Sequence, residues 1–400
     1  MYRVSSFIGT FAWALLAGMA LATVWVNLDA ASYYDAIEWR LIDVASDSLG
    51  RASLTLIDLT SAVLMPLFLF YLGKELWEAL VLRRGSLRGR YSGVPLLALL
   101  GGLIGAAVIW VLLSAAFETA EEAVFAGGWA VPLGSDVVLT YLAGRALFGA
   151  GSPALHVLLL LTIGSNIVGL MLLGTAFPDQ PQRLLWLLLP VVAFLAVWFW
   201  VGRQAHSDAT EVQRRRSLQL WPYALAGLVS WAGILAAGLP PALGLLPIIP
   251  AMPHADRAFG LFAEAEEFLT DPLNRAAHLL VKPLIVVLFL FGLTRGGIDL
   301  GAAEPTTWIT LAALWLGKPL GIVAGGLLLA PRLGLPMPRG LRKRDLMLIA
   351  GLAGMGFTIP ALAIDATLPG GAMQEAARLG LAISLCAGPL LVLAARKWWR

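Results

Sequence analysis

The stretch Gly317-Lys318-Pro319-Leu320-Gly321-Ile322 is preceded by apolar residues from Trp308 to Trp315 and followed by more from Ile322 to Ala330. A lysine a third of the way into a run of membrane length is expensive, roughly 2.5 to 3.5 kcal/mol at a helix centre. A chain that keeps such a charge pairs it, turns it toward water, or uses it to move an ion. Lys318 therefore marks a membrane span and a candidate site together.

The surrounding composition agrees. Of the 400 residues, 59% are hydrophobic and 13% charged, and the mean hydropathy is +0.81. Soluble domains carry about 25% charged residues, so this is a membrane protein. The formal net charge of +3 is small, and no basic arm or aromatic-basic interleave points to nucleic acid. The single cysteine, Cys386, excludes an intrachain disulfide framework and a cysteine-based metal cluster. No nucleophile-base pair is visible, so the chain is not read as an enzyme, and no cofactor is expected. Met1 to Ser6 is too short and weakly charged for a cleaved leader, which makes Phe7–Val26 a retained first helix.

Runs long enough to span a bilayer, about 17 to 25 residues each, recur along the chain. They are Phe7–Val26, Leu54–Leu72, Val94–Phe117, Trp129–Leu147, Leu155–Leu173, Leu184–Val201, Leu220–Leu239, Pro240–Met252, Leu279–Ile298, Trp308–Leu329, Leu346–Ala363 and Ala376–Ala394. The expectation is an all-α polytopic membrane protein of about twelve transmembrane helices. The eighth run is short and carries Pro240, Pro241, Pro247 and Pro250, which suits a partial or kinked span. The whole chain, 1–400, reads as one transmembrane transporter domain. Residues 1–253 hold eight runs, 254–278 form a cytoplasmic linker with Glu264, Glu266, Glu267 and Asp271, and 279–400 hold four more.

Loop charges orient the chain. Arg83, Arg84, Arg88 and Arg90 follow the second run, Arg203 and Arg214 to Arg216 the sixth, and Arg339, Arg342, Lys343 and Arg344 the tenth; Arg396, Lys397 and Arg400 end the chain. The alternate loops carry acids: Asp29, Asp35, Glu38, Asp43 and Asp47, then Glu118, Glu121 and Glu122, then Asp179, then Glu375. The positive-inside rule puts both termini in the cytoplasm of a multi-pass protein of a bacterial-type inner membrane.

Two runs are interrupted. The fourth contains Pro132-Leu133-Gly134-Ser135-Asp136, and the eleventh contains Gly351, Gly354-Met355-Gly356-Phe357-Thr358 and Pro360. Glycine and proline clustered inside a span fit a helix that unwinds around a cavity and frees carbonyls and N–H groups to bind an ion. One break in each half, with an acid in the first and a lysine just before the second, is the pattern of a transporter built from inverted repeats. Asp136 either binds a cation or proton or caps half-helix ends and neutralises a lysine. Lys318 either takes part in proton coupling or holds carbonyl-rich helix ends. Ser135 offers a hydroxyl ligand or an intrahelical bond.

Asp58, Glu75, Arg145, Lys282, Arg295 and Asp365 are further charges in or near the membrane. Lys74, Glu75 and Glu78 read as snorkelling from the inner end of the second run, and Arg295 as snorkelling or binding backbone near an outer end. None of His156, His206, His254 and His278 has metal-site spacing. Nothing suggests a channel's carbonyl filter or ring of charge.

These residues resemble the NhaA-type sodium/proton antiporter family. The run from Gly317 to Ile322 is similar to its tenth-helix motif, Gly128-Trp129-Ala130-Val131-Pro132 through Ser135-Asp136 to its fourth helix, and Gly354-Met355-Gly356-Phe357-Thr358 to its eleventh. Weaker similarity lies at Leu72-Gly73-Lys74-Glu75 and from Ala237 to Gly244. The resemblance implies twelve helices in inverted repeats, a core where helices 4 and 11 cross, and an interface domain that forms a homodimer in the lipid bilayer. It also implies exchange of Na+ or Li+ for protons by alternating access. The candidate ion- and proton-binding residues of this chain are Asp136, Lys318, Asn166, Ser165 and Ser135, with Asp136 on the metal ion, and the candidate interrupted backbone is Gly134, Gly354, Gly356 and Thr358.

One departure matters. The family's fifth helix carries two adjacent aspartates, and here that position falls on Asn166-Ile167 or, shifted by one, on Ser165-Asn166. Neither supplies a carboxylate. Amide and hydroxyl oxygens can ligate a cation but cannot exchange a proton near neutral pH. The remaining pair, Asp136 and Lys318, is nearly neutral if the two approach each other. A desolvated lysine can release its proton when a cation arrives, which makes electroneutral exchange the natural stoichiometry. The alternatives are a transporter of an anionic solute, using Lys318 with Lys282 or Arg295, and a non-transporting partner or sensor that keeps the fold.

Overall fold

The computed structural model describes residues 7–46, 50–81, 89–118, 125–178, 181–201, 217–254, 262 and 271–398. Asp47, Arg83, Arg84, Arg88, Glu121, Glu122, Asp179, Arg203, His206, Arg214, Arg215, Arg216, Glu264, Glu266, Glu267 and Arg400, used above for orientation and organisation, lie outside the described residues.

The apolar runs become helices in the expected order, with one short helix, α2 (Ala30–Ile37), added in what reads as an acidic loop: α1 (Phe7–Leu28), α2, α3 (Leu56–Leu80), α4 (Gly93–Glu118), α5 (Val137–Phe148), α6 (Pro153–Ala176) and α7 (Leu188–Trp200). They continue with α8 (Trp221–Ala236), α9 (Pro272–Arg295), α10 (Pro305–Arg332), α11 (Lys343–Ala353), α12 (Thr358–Thr367) and α13 (Ala372–Lys397). Among the described residues seven helices are long and apolar enough to cross a membrane, α11 and α12 reach that length together across a 47° bend, and four shorter apolar helices accompany these. The eighth run is two 3-10 turns, Pro241–Leu243 and Leu246–Ala251, as its prolines require.

Two features depart from the run boundaries. Between α2 and α3 an antiparallel hairpin, β1 (Arg40–Ser46) and β2 (Gly50–Thr55), occupies what reads as an acidic loop. Helix α9 begins at Pro272, inside the stretch expected as linker, because Asp271 accepts from the Asn274 N–H and Pro272 sits at the first helical position. Ser152 and Pro153 start α6 in the same way.

Glycine sets how closely the helices approach. Gly317, Gly321 and Gly325 recur every fourth residue on one face of α10, against Gly105, Gly101 and the Leu97 carbonyl of α4. A Cβ on Gly321 would strike the Gly101 carbonyl oxygen and lie 2.6 Å from its carbon. In a membrane, where apolar surface alone does not drive helices together, such small-residue seams allow the packing that does. A second seam, Gly18 against Gly292, joins α1 to α9. The α4–α10 seam pins Lys318 at a fixed depth beside the first interrupted span.

Helix α10 is not regularly wound. Wide π turns at Ala313–Gly317 and Ala324–Leu329 flank the α-helical turn that carries Lys318, and α3 has another at Leu59–Leu64. Such turns concentrate at functional positions in helices.

Candidate functional site

The first break is built from a 3-10 segment, Ala126–Leu133, with Pro132 near its end. Gly134 is extended, Ser135 follows, and Asp136 caps α5. Gly134 is required by close approach: a Cβ there would sit 2.6 Å from Pro360 Cδ and 2.7 Å from Ile359 Cβ. The second break is Gly354 to Phe357, between α11 and α12. The two breaks are bonded to each other. The Asp136 N–H donates to the Met355 carbonyl at 2.8 Å, and Ser135 Oγ donates to the Ala353 carbonyl at 2.8 Å.

The crossing leaves four half-helix ends in one small volume, and each buried charge meets the end of opposite polarity. Lys318 Nζ donates to the carbonyls of Pro132 (3.2 Å), Leu133 (2.9 Å) and Gly134, the negative end of the 3-10 segment. The Asp136 carboxylate faces two positive ends. Its Oδ1 accepts from the Leu139 N–H at 2.8 Å and its Oδ2 from Thr358 Oγ1, the first residue of α12, at 3.3 Å. Among the described residues no ion pair joins Asp136 to Lys318. The direct neutralising pair is therefore replaced by two separate matches of charge to helix end. Both side chains are buried, Asp136 completely and Lys318 to 2% exposure.

Helix α6 supplies the third side of the centre. Asn166 Oδ1 accepts the Ser135 N–H at 2.8 Å, which fixes the amide's orientation. Its Nδ2 is buried without a partner among the described residues. Ser165 Oγ lies 3.4 Å from Ser135 Oγ and donates to the Thr162 carbonyl at 2.9 Å. The candidate residues Asp136, Lys318, Asn166, Ser165, Ser135, Gly134, Gly354, Gly356 and Thr358 thus converge on the two breaks. Ser384 of α13 was not legible in the sequence. Its Oγ contacts both the N–H (3.2 Å) and the carbonyl (3.3 Å) of Gly356, and an isolated serine in an apolar helix carries no signal of that role.

The border charges differ from expectation. Lys74, Glu75 and Glu78 do not snorkel; they are 2%, 2% and 5% exposed. Lys74 Nζ pairs with Glu75 at 3.0 Å and Glu78 at 2.9 Å, the Asn274 amide donates to Glu78 at 3.4 Å, and the Phe262 N–H donates to Glu75. Mutual pairing removes the need to reach water. Arg295 is largely buried and, among the described residues, bonds to side chains and not to backbone. It pairs with Asp365 and donates to Ser61 Oγ at 2.9 Å. Lys282 is exposed, and Arg145 donates to Tyr141 Oη at 3.1 Å; neither reaches the centre. His156 is buried with Nδ1 3.0 Å from the Ser152 carbonyl. Among the described residues no group of three histidine, cysteine or acidic side chains could hold a metal ion.

Two interrupted spans, crossed and bonded at their breaks around buried opposite charges, define a polytopic helical membrane protein of the antiporter architecture. The chain belongs to the Na+/H+ antiporter 1 family, whose model matches residues 7–394. It is 40% identical over 410 residues to the Na(+)/H(+) antiporter NhaA of Jannaschia sp. (strain CCS1), with 98% of this chain and 97% of that one aligned. It is 33% identical to the Na(+)/H(+) antiporter NhaA 2 of Pelobacter propionicus, covering 94% of this chain and 93% of that one. The sodium proton antiporter MjNhaP1 from Methanocaldococcus jannaschii at pH 8 has a similar fold, with a TM-score of 0.50, 15% identity and coverage of 98% and 99%. That likeness speaks to the fold alone.

Proposed function

We propose that this chain is a secondary transporter exchanging Na+ or Li+ for protons by alternating access. The carrying observation is the Lys318 ammonium seated on the carbonyls of Pro132, Leu133 and Gly134, where the protein's own cation occupies a ring of hard oxygens. An arriving sodium ion competes for those oxygens. The displaced ammonium, left in an apolar slab without its carbonyl partners, loses its proton to water on the side to which the centre is open, and the sodium charge replaces the one that leaves. Asp136 holds the half-helix ends in place and supplies the negative field that keeps a cation in the centre. With no carboxylate on α6 at Ser165 or Asn166, the exchange is electroneutral.

Family membership supports the choice of ions and a bacterial inner membrane. The basic residues around Arg339 to Arg344 and Arg396 to Lys397, set against Asp29 to Asp43 and Glu375, support an orientation with both termini in the cytoplasm. The family resemblance supports a homodimer and a single transport domain, with 1–253 and 279–400 on either side of the 254–278 linker.

The test is flux by purified protein in proteoliposomes under sodium, lithium, potassium and chloride gradients, with interior pH and voltage read together. Saturable sodium-driven pH change without net charge movement is the expected result, and Asp136→Asn should abolish it. Wild-type exchange by Asp136→Asn would overturn the assignment. A response to chloride alone would favour an anionic solute, a reading that draws on the unpartnered Asn166 Nδ2 donor. Inactivity under every gradient would favour a non-transporting partner.

A further inference from the structure

At the acid-rich end of the molecule, polar side chains tie together helices that belong to different sets. Arg295 ends α9, which packs on α1 through the Gly18–Gly292 seam, and it also binds Ser61 of α3. Its partner Asp365 lies on α12, one of the helices of the broken centre. Arg378 of α13 donates to Asp365 at 3.0 Å and to Glu375 at 2.6 Å. Tyr34 of α2 then donates to Glu375 at 2.8 Å. Two bonds, Arg295 to Asp365 and Tyr34 to Glu375, therefore run from the α1–α3–α9 side to the α12–α13 side. Burial, followed by the neighbouring Glu375, pushes the Tyr34 hydroxyl up, so it remains a neutral donor. At the opposite end, the buried Lys74, Glu75 and Glu78 bond to α3, Phe262 and α9 instead.

A cavity of about 260 Å³ lies against this network, lined by Asp58, Ser61, Arg295 and Asp365 on its polar side. Leu170 and Leu362 line it too. Leu170 is four residues beyond Asn166 on α6, and Leu362 four beyond Thr358 on α12, about 6 Å along each axis. The cavity therefore ends one layer of apolar side chains away from the transport centre.

We propose that this cavity is the outer vestibule of the centre, and that Arg295–Asp365 and Tyr34–Glu375 are a two-point latch holding it shut in this conformation. Opening to that side requires the α12–α13 unit to part from α9 and α2, so both bonds must release in each cycle. Only the word outer rests on the orientation proposed above; the latch itself is a statement about these contacts.

The test places a single thiol in the vestibule by combining Leu362→Cys with Cys386→Ser, since Cys386 is exposed. A membrane-impermeant maleimide is applied to right-side-out and to inside-out vesicles. The parent should label slowly. Tyr34→Phe and Asp365→Asn should each label several-fold faster, in right-side-out vesicles. Asp365→Asn leaves a buried guanidinium short of a partner and can fail to fold; Tyr34→Phe removes one hydroxyl and then decides the matter. Parental labelling rates in variants that remain monodisperse on gel filtration would overturn the latch. Faster labelling confined to inside-out vesicles would uphold the latch and overturn the orientation. Because labelling needs no ion flux, a protein that transports nothing would still answer the question.

Discussion

Asn166 is the residue whose chemistry sets the character of the centre. Its carbonyl oxygen is committed to the Ser135 N–H, so the group left facing inward is a donor without an acceptor. An unmet buried donor costs about 1–3 kcal/mol, and a carboxylate at the same position would keep the Ser135 bond while removing that donor. Asn166→Asp should therefore fold and gain a second proton-carrying group. Moving one net charge across the membrane is worth about 2.3 kcal/mol per 100 mV. The sodium gradient sustained by the variant should then shift about fiftyfold per 100 mV of imposed potential, while the parent's stays flat. Proteoliposomes clamped with potassium and valinomycin read this directly, and a variant as insensitive to voltage as its parent would refute the role given to Asn166.

At the level of helices, the α4–α10 seam fixes the height of Lys318 relative to the carbonyls it binds. Gly321→Leu would drive a side chain into the Gly101 backbone, which cannot yield. Overpacking of this kind costs about 1–3 kcal/mol. The expected outcome is a melting temperature lowered by a few degrees in detergent, together with reduced sodium-driven flux as Nζ is drawn off its acceptors. Gly151→Ala is the matched control, because nothing lies within 4 Å of a Cβ there; unchanged stability in Gly321→Leu would remove the seam from the account. Much of this level was legible. Glycine and proline inside the fourth and eleventh runs marked both breaks, and Lys318 marked its own burial. The π turns were not legible, because helices apolar on most faces leave no periodic signal to be disturbed. The hairpin was hidden as well: its acids read as solvated loop, and strand pairing depends on a partner that composition does not reveal.

For the molecule as a whole, a charge inside or beside an apolar run can be read from the sequence, but its partners cannot. Lys74, Glu75 and Glu78 stand out in the sequence as charges at the end of an apolar run, yet snorkelling and mutual burial look identical until α9 is packed alongside. The same holds for Arg295 and Asp365. Each stood out singly, while Arg378, Glu375 and Tyr34, which complete the network, come from segments without any shared pattern. Most of the residues that meet at the two breaks can be singled out in the sequence, Ser384 excepted, but their arrangement, with carboxylate and ammonium serving different helix ends, depends on how two broken spans cross.

The loosened winding of α10 has a consequence for tolerance to change. A π turn holds one residue more than the height it climbs demands, so the stretch Ala313–Gly317 contains slack that a regular helix lacks. Excising Leu316, whose side chain faces outward at 57% exposure, should let that coil tighten while everything on either side keeps its azimuth. An excision in the evenly wound α4, at Ala107 for instance, would swing all that follows by about 100° and scramble the seam. Folded yield measured across a deletion scan should accordingly show an island of permissiveness directly ahead of Lys318, where a naive view of a buried charge would place the least forgiving ground.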